Sequence, residues 1–185
     1  MKRTMLTFCL GVLVAISLAG CLTVERKSYK ITMTGKQSGT CTITYHNIVS
    51  AKDDGKDVSF KDFAELVTDY LEGTKLEDEM EGCRNVKKRI YEEKGQLMGE
   101  ITFDFDTLST VKMFRYDDTS PLMMYMGGMS SEKYSDGNGE FGGESMPVVF
   151  WPAKSKDINL TTTVTEIDTS HVSLVDHYAM WKKRR

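Results

Sequence analysis

The sequence predicts an α+β domain in which a single antiparallel β-sheet carries one or two helices packed on one face. Three observations support this fold class. Most patterned segments alternate apolar and polar residues, which is typical of strands with one buried face. Only one stretch has clear helical periodicity. Short turn signals separate successive strands, as expected for an antiparallel sheet with its helices on one side.

The first 20 residues are predicted to be an export signal. Lys2 and Arg3 precede an uncharged apolar run over residues 5–18, and Ala19-Gly20-Cys21 follows. A basic end, a short apolar run and small residues in this order are typical of a signal peptide. The run is shorter than the about 20 apolar residues that a membrane-spanning helix needs.

The segment Leu18-Ala19-Gly20-Cys21 resembles the lipobox of bacterial lipoproteins, and the resemblance covers only this segment. It implies that a lipoprotein signal peptidase removes residues 1–20 and that the Cys21 sulfur carries a diacylglyceryl group as a thioether. It also implies that the new amino group is often acylated. At about 0.8 kcal/mol per buried methylene, two or three acyl chains would hold the protein on the membrane essentially permanently.

The resemblance also implies a location in the cell envelope. Leu22 stands where lipoproteins retained in the inner membrane usually carry aspartate. This favours the outer membrane, facing the periplasm, in a cell with two membranes. In a cell with one membrane, the resemblance implies display on the outer surface.

After the signal, residues 21–28 are predicted to form the lipidated cysteine and a short polar tether. At about 3.3 Å per residue, such a tether reaches roughly 20 Å. Residues 29–185 are then predicted to form one domain that ends in a basic tail. The domain is expected to lie close to the membrane.

The domain begins with a predicted hairpin. Residues 29–34 alternate in polarity and lead to a turn at 35–39. In the next strand Cys41, Ile43 and Tyr45 share one face, while the intervening threonines take the other. This period of two predicts that the cysteine-bearing face is apolar and buried.

The clearest helix is predicted after Ser59. Its apolar residues have helical spacing and are Phe60, Phe63, Leu66, Val67, Tyr70 and Leu71. Ser59 and Asp62 resemble a capping box, and Gly73 can take the left-handed conformation that ends a helix.

The rest of the chain is predicted to be mainly strands. A turn at Lys94-Gly95 joins strands at 86–92 and 97–105. Residues 106–114 favour a short helix with Leu108, Val111 and Phe114 facing inward. Further strands are predicted at 122–126, 132–134, 141, 148–151 and 158–165. Residues 136–139 are predicted to form a hairpin-type turn.

Composition limits the domain count and the partners. Removal of the first 20 of 185 residues leaves 165, which suits one compact domain. The chain has 24 basic and 27 acidic residues, a net charge of −3, and loss of Lys2 and Arg3 makes it −5. This acidic balance argues against nucleic acid as a partner.

Cys41 and Cys83 are predicted to form a disulfide, with two separate buried thiols as the alternative. Cys9 leaves with the signal, and Cys21 is alkylated if the lipobox resemblance holds. Cys41 and Cys83 are then the remaining thiols in a compartment that usually oxidises such pairs.

No catalytic, cofactor or metal site is predicted. His46, His171 and His177 lack the spacing of a nucleophile with its base or of a metal-ligand set. Soft thioether sulfurs could hold Cu(I), but methionine more commonly fills apolar gaps in a core. The methionines in question are Met123, Met124, Met126 and Met129. The basic tail Lys182–Arg185 is interpreted as a solvated end, with contact to an anionic membrane as the alternative.

The sequence therefore predicts an exported, lipid-anchored envelope protein that acts by binding or structural support. Its expected partners are the membrane, through Cys21, and an envelope protein or lipid. The first alternative is a module that encloses an apolar ligand such as a lipid. The second is an enzyme whose site carries no recognisable motif.

Overall fold

A computed structural model describes residues 21–129 and 131–185. The predicted signal peptide, residues 1–20, lies outside the described residues. The described chain consists of antiparallel sheets with short helices, which confirms the α+β class.

Within the described residues, eleven strands form two antiparallel sheets. In chain order the strands are β1 (Leu22–Met33), β2 (Gly39–Ala51), β3 (Cys83–Glu93), β4 (Gln96–Phe105), β5 (Met113–Phe114), β6 (Leu122–Tyr125), β7 (Lys133–Gly137), β8 (Glu140–Phe141), β9 (Val148–Trp151), β10 (Asp157–Thr163) and β11 (His171–Ser173). The main sheet has the order β3-β4-β2-β1-β10-β7, and β11 pairs with the end of β2. The small sheet has the order β5-β6-β9-β8.

The helices are short. They are α1 (Ser59–Glu65), which continues as a π-helical segment over Leu66–Leu71, then α2 (Lys75–Glu79) and α3 (Val175–Lys182). The predicted helix after Ser59 is therefore confirmed, and Phe63, Leu66 and Tyr70 on its apolar face are buried. Phe60 was predicted to share that face, but it is 74% exposed.

The small sheet and the helices pack on the same face of the main sheet. Tyr45 contacts both the core cluster under the small sheet and the core cluster under the helices. The alternation of β2 reverses at Asn47, which has a left-handed φ of 56°. As a result, Tyr45 and Ile48 both approach Gly99, where an added Cβ would meet them at 3.6 and 2.9 Å. On the opposite face, Lys30, Thr42 and Thr102 pair across β1, β2 and β4.

Two local predictions differ from the structure. Residues 136–139 were predicted to close a hairpin, but β7 pairs with β10 and β8 pairs with β9, so this turn connects the two sheets. Asn138 stabilises the crossing, since its Oδ1 accepts hydrogen bonds from Trp151 Nε1 and from the Asn159 amide, each at 2.8 Å. Residues 106–114 form only a 3-10 turn over Leu108–Val111 followed by β5. Leu108 and Val111 are buried as predicted, but Phe114 is 48% exposed because it is on the outward side of β5.

Candidate membrane-anchoring site

Cys21 lies at one end of the main sheet, directly before β1. Its carbonyl oxygen accepts a hydrogen bond from the Ala51 amide at 2.6 Å. The next residue, Leu22, pairs with Ser50 and is only 5% exposed. The predicted tether over residues 21–28 is therefore wrong, because residues 22–28 belong to β1 and Leu22 and Val24 are buried. No flexible linker would separate an acyl group on Cys21 from the main sheet.

A buried polar contact supports this end of the sheet. Ser50 Oγ donates a hydrogen bond to Asp62 Oδ2 at 2.6 Å, and both residues are buried. Asp62 belongs to α1, so the contact fixes the helix beside Cys21. The predicted capping box is wrong because Asp62 is used here. The Ser59 amide donates instead to Asp57 Oδ1 at 2.9 Å.

Charged side chains from the neighbouring helix and loop act on the Cys21 thiol. Burial raises the pKa of Cys21, the nearby Asp62 and Asp53 carboxylates raise it further, and Lys61 acts in the opposite direction. The thiolate is the reactive form of cysteine, and a raised pKa makes it scarcer.

An exposed aromatic side chain lies in the same region. Phe60 is in the first turn of α1, next to Lys61, whose charge acts on Cys21. Its ring meets the His177 ring edge-on, with centroids 5.9 Å apart. The chain therefore presents one large apolar side chain near the residue that would carry the lipid.

Each histidine contacts a serine, yet none of these pairs forms a catalytic triad. The pairs are Ser28–His46, Ser59–His177 and Ser170–His171, with oxygen-to-nitrogen distances of 2.9, 3.0 and 3.4 Å. His171 meets both Ser170 and Asp168 through the same atom, Nδ1, so it cannot relay a proton between them. His177 Nδ1 is buried and has no hydrogen-bond partner within the described chain.

A charged pair is buried against the main sheet. Lys27 Nζ donates to Glu132 Oε1 at 2.8 Å, while Tyr29 and Thr162 donate to Oε2 at 2.7 Å each. Burial alone would raise the pKa of Glu132, but the Lys27 charge and these hydrogen bonds outweigh it, so the pKa lies below its usual value. A carboxylate held ionised and fully bonded joins β1 and β10 to the segment before β7, and it has no proton to donate.

The predicted Cys41–Cys83 disulfide is not formed. Both residues are free cysteines. Cys41 pairs with Phe103 and Cys83 pairs with Phe105, so the cysteines lie on strands that flank β4. Neighbouring strands are about 4.8 Å apart, which places strands on either side of β4 nearly 10 Å apart. That exceeds the Cα separation of roughly 4.4–6.8 Å that a disulfide allows.

The methionines that were considered for Cu(I) are divided between two faces. Met124, Met126 and Met129 are buried in the core cluster under the small sheet, whereas Met123 is on the other face of β6. Across residues 21–129 and 131–185, no group of three His, Cys, Asp or Glu side chains could hold a metal ion.

The basic tail packs against the helical side of the domain. Arg185 donates to Glu72 at 2.8 Å, and its guanidinium lies 4.7 Å from the centre of the Trp181 ring. Trp181 and Arg185, with Lys88, line a cleft of about 290 Å³. A second cleft, of about 460 Å³, lies along residues 68–79 and has mostly polar and charged walls. Leu71 and Ile90 also line the first cleft, so its wall mixes apolar and charged groups.

In the part of the chain that the structure covers, no helix is long and apolar enough to cross a membrane. Comparison with protein-family models, with curated proteins and with solved structures finds no match to this chain.

Proposed function

We propose that this chain is a lipid-anchored protein of the bacterial cell envelope that acts by contact with other envelope components. The observation that carries the proposal is the segment Leu18-Ala19-Gly20-Cys21 at the end of a signal-like sequence. In a cell with two membranes, the residue after Cys21 favours the outer membrane, with the domain in the periplasm.

The position of Leu22 supports a defined orientation. Because Leu22 is already in the core, acyl chains on Cys21 would hold the end of the main sheet against the bilayer. Strand β1 has 12 residues and leads away from that end. At about 3.3 Å per residue it reaches roughly 35–40 Å into the surrounding compartment. The far end of the domain is then well separated from the lipid.

Action by contact, without turnover, is supported by the chemistry of the site. The Ser59–His177 pair has a suitable distance for proton transfer, but Ser59 is buried and His177 Nδ1 lacks an acidic partner among the described residues. The buried carboxylate of Glu132 is fully bonded. Both groups are engaged in contacts within the fold, which supports a role that does not depend on turnover.

Metabolic labelling with a fatty acid tests the anchor. The wild-type chain should incorporate label and lose residues 1–20, whereas Cys21→Ala should incorporate none and accumulate as precursor. Cys9→Ser is the matched control, because it removes a cysteine of the signal segment and should label normally. A wild-type chain that takes up no label and fractionates as a soluble protein would contradict the proposed lipid anchor.

A second experiment tests action by contact. The purified full-length lipidated protein is screened against ester, glycoside and peptide substrates, and the anchored protein is cross-linked in cells. We expect no saturable turnover and a reproducible cross-linked product that disappears in Cys21→Ala. Turnover that is lost in Ser59→Ala or His177→Ala would overturn the non-catalytic role.

A further inference from the structure

The solvent-facing side of the small sheet is apolar. The strand register places Phe114, Met123 and Phe150 side by side across β5, β6 and β9. Tyr125 and Val148 form the next row on the same side. We call these five residues the outer face. The residues between them in the three strands point to the core and are buried.

Several side chains of this region are strongly exposed. Phe114 is 48% and Tyr125 52% exposed, and the nearby Tyr116 and Met146 are 90% and 50% exposed. The charged residue in these rows is Glu140, next to Phe150 at the β8 edge. In contrast, the solvent-facing side of the main sheet carries polar residues such as Thr42, as is usual for an antiparallel sheet with one buried face. Contiguous exposed apolar patches on soluble domains commonly mark interaction sites.

The outer face is remote from the lipid anchor. The small sheet packs on Ile31, Phe103 and Phe105, at the end of the main sheet opposite Cys21. Ile31 is nine residues beyond Leu22 in the same strand. At about 3.3 Å per residue, this separation is roughly 30 Å. When β1 leads away from the bilayer, the outer face lies roughly 30 Å from the lipid on Cys21 and is not covered by it.

We propose that the outer face is the interface between two copies of this chain anchored in the same membrane. This inference rests on the proposed lipid anchor. A twofold interface must be self-complementary, and an apolar, nearly uncharged surface meets that condition without matched charges. Phe, Tyr and Met are enriched in protein interfaces, while charged residues are depleted at their centres.

The orientation of the sheets permits this pairing. The two sheets pack face to face, so the outer face looks sideways with respect to β1 and not along it. When β1 leads away from the bilayer, the outer face looks across the membrane surface. Two copies related by a twofold axis along the membrane normal can then join their outer faces while both Cys21 residues stay at the same bilayer.

The area of the face explains why an anchor would matter. A large side chain buries roughly 150–250 Å² when fully covered. The exposed portions of Phe114 and Tyr125, together with those of the neighbouring Tyr116 and Met146, therefore offer about 500 Å² per copy. Two copies would bury on the order of 1,000 Å², which is near the lower limit for a specific interface. Confinement to one membrane raises the effective concentration of such a weak pair. The pair should form on the membrane and dissociate on dilution in detergent.

Cross-linking in membranes tests the interface. Full-length Met123→Cys and Thr42→Cys are treated with a bifunctional thiol reagent, with the wild type as background for its own cysteines. We expect at least a ten-fold larger dimer fraction for Met123→Cys than for Thr42→Cys. Adding Phe150→Glu to Met123→Cys should abolish the dimer. A thermal melt of each variant identifies any that fails to fold, and Tyr125→Glu then replaces Phe150→Glu.

The outcomes separate this inference from the anchor. Fatty acid label together with equal cross-linking at positions 123 and 42 overturns the interface and leaves the anchor intact. Dimers without label support the interface and overturn the anchor. If the cross-linked product of Met123→Cys contains a different protein, the outer face binds that protein and not a second copy of this chain.

Discussion

Lys27 Nζ and Glu132 Oε1 lie 2.8 Å apart inside the domain, with side chains only 15% and 7% exposed. Lys27 belongs to the segment predicted to be a tether, and its partner is 105 residues away in the chain. The contact shows that this segment is part of the core. Because the Glu132 carboxylate is buried with its partner, its removal should lower the free energy of unfolding.

Replacement of Glu132 by Gln should lower the free energy of unfolding by about 3–5 kcal/mol, because it leaves the Lys27 ammonium buried without a counter-charge. Urea denaturation of the full-length protein measures this loss. Asp106→Asn is the control, since it breaks the exposed Arg84–Asp106 pair and should leave stability nearly unchanged. A loss below about 1 kcal/mol for Glu132→Gln would contradict the buried pair.

The contribution of Glu132 should depend on pH. Its pKa in the folded protein lies below the ordinary value of 4.5, since the Lys27 charge and the hydrogen bonds outweigh burial. A lowered pKa means that the stabilisation is complete above the unfolded value and is lost as the pH falls through the folded pKa. The stability difference between wild type and Glu132→Gln should hold from about pH 7 to about pH 5 and shrink at lower pH. A difference that is the same at every pH would be evidence against an ionised Glu132.

The two domain thiols should be free and unreactive in the native protein. Burial, with a smaller effect of Cys83, raises the pKa of Cys41 to about 12, and burial raises the pKa of Cys83 to about 11. Cys41 is also the less exposed of the two. Native alkylation should therefore be slow at both residues and slower at Cys41.

The decisive measurement is alkylation after unfolding without reductant, followed by mass spectrometry. Two modified residues, Cys41 and Cys83, are expected per mature chain. Recovery of neither modification unless a reductant is added would show a disulfide and would require a different arrangement of β2, β3 and β4.

Local patterns predicted much of the fold. Strand β9 was predicted with its observed bounds, and β4 within one residue, because alternation is a property of consecutive residues. The division into two sheets was not predicted, since it depends on which distant strands pair. Helix α3 was also missed, although the spacing of Leu174, Tyr178 and Trp181 fits one helical face.

The candidate sites were harder to predict from the sequence than the strands. Phe60 has the spacing of a core residue, and only the packing of α1 shows that it is exposed. The outer face could be suspected from the continuous run of apolar residues in β6 and β9. Predicting an exposed apolar face from these runs requires knowing that the main sheet covers the other side of β6 and β9.

The strongest test of the anchoring geometry is the first residue of β1. Leu22 is packed among the buried side chains that hold the helices to the sheet. Leu22→Ala should therefore lower the free energy of unfolding by about 2–5 kcal/mol in the detergent-solubilised lipidated protein. In a flexible tether the same substitution would have no effect on stability.

Lys30→Ala is the matched control in the same strand, because Lys30 is exposed and its loss should change stability by less than about 0.5 kcal/mol. Deletion of residues 22–27 extends the test, since it removes Leu22 and Val24 from the core together with half of the pairing between β1 and β2. The deletion variant should fail to give a cooperative thermal transition. If Leu22→Ala and the deletion both unfold like the wild type, β1 begins after residue 27, and the lipid on Cys21 would not hold the sheet directly against the membrane.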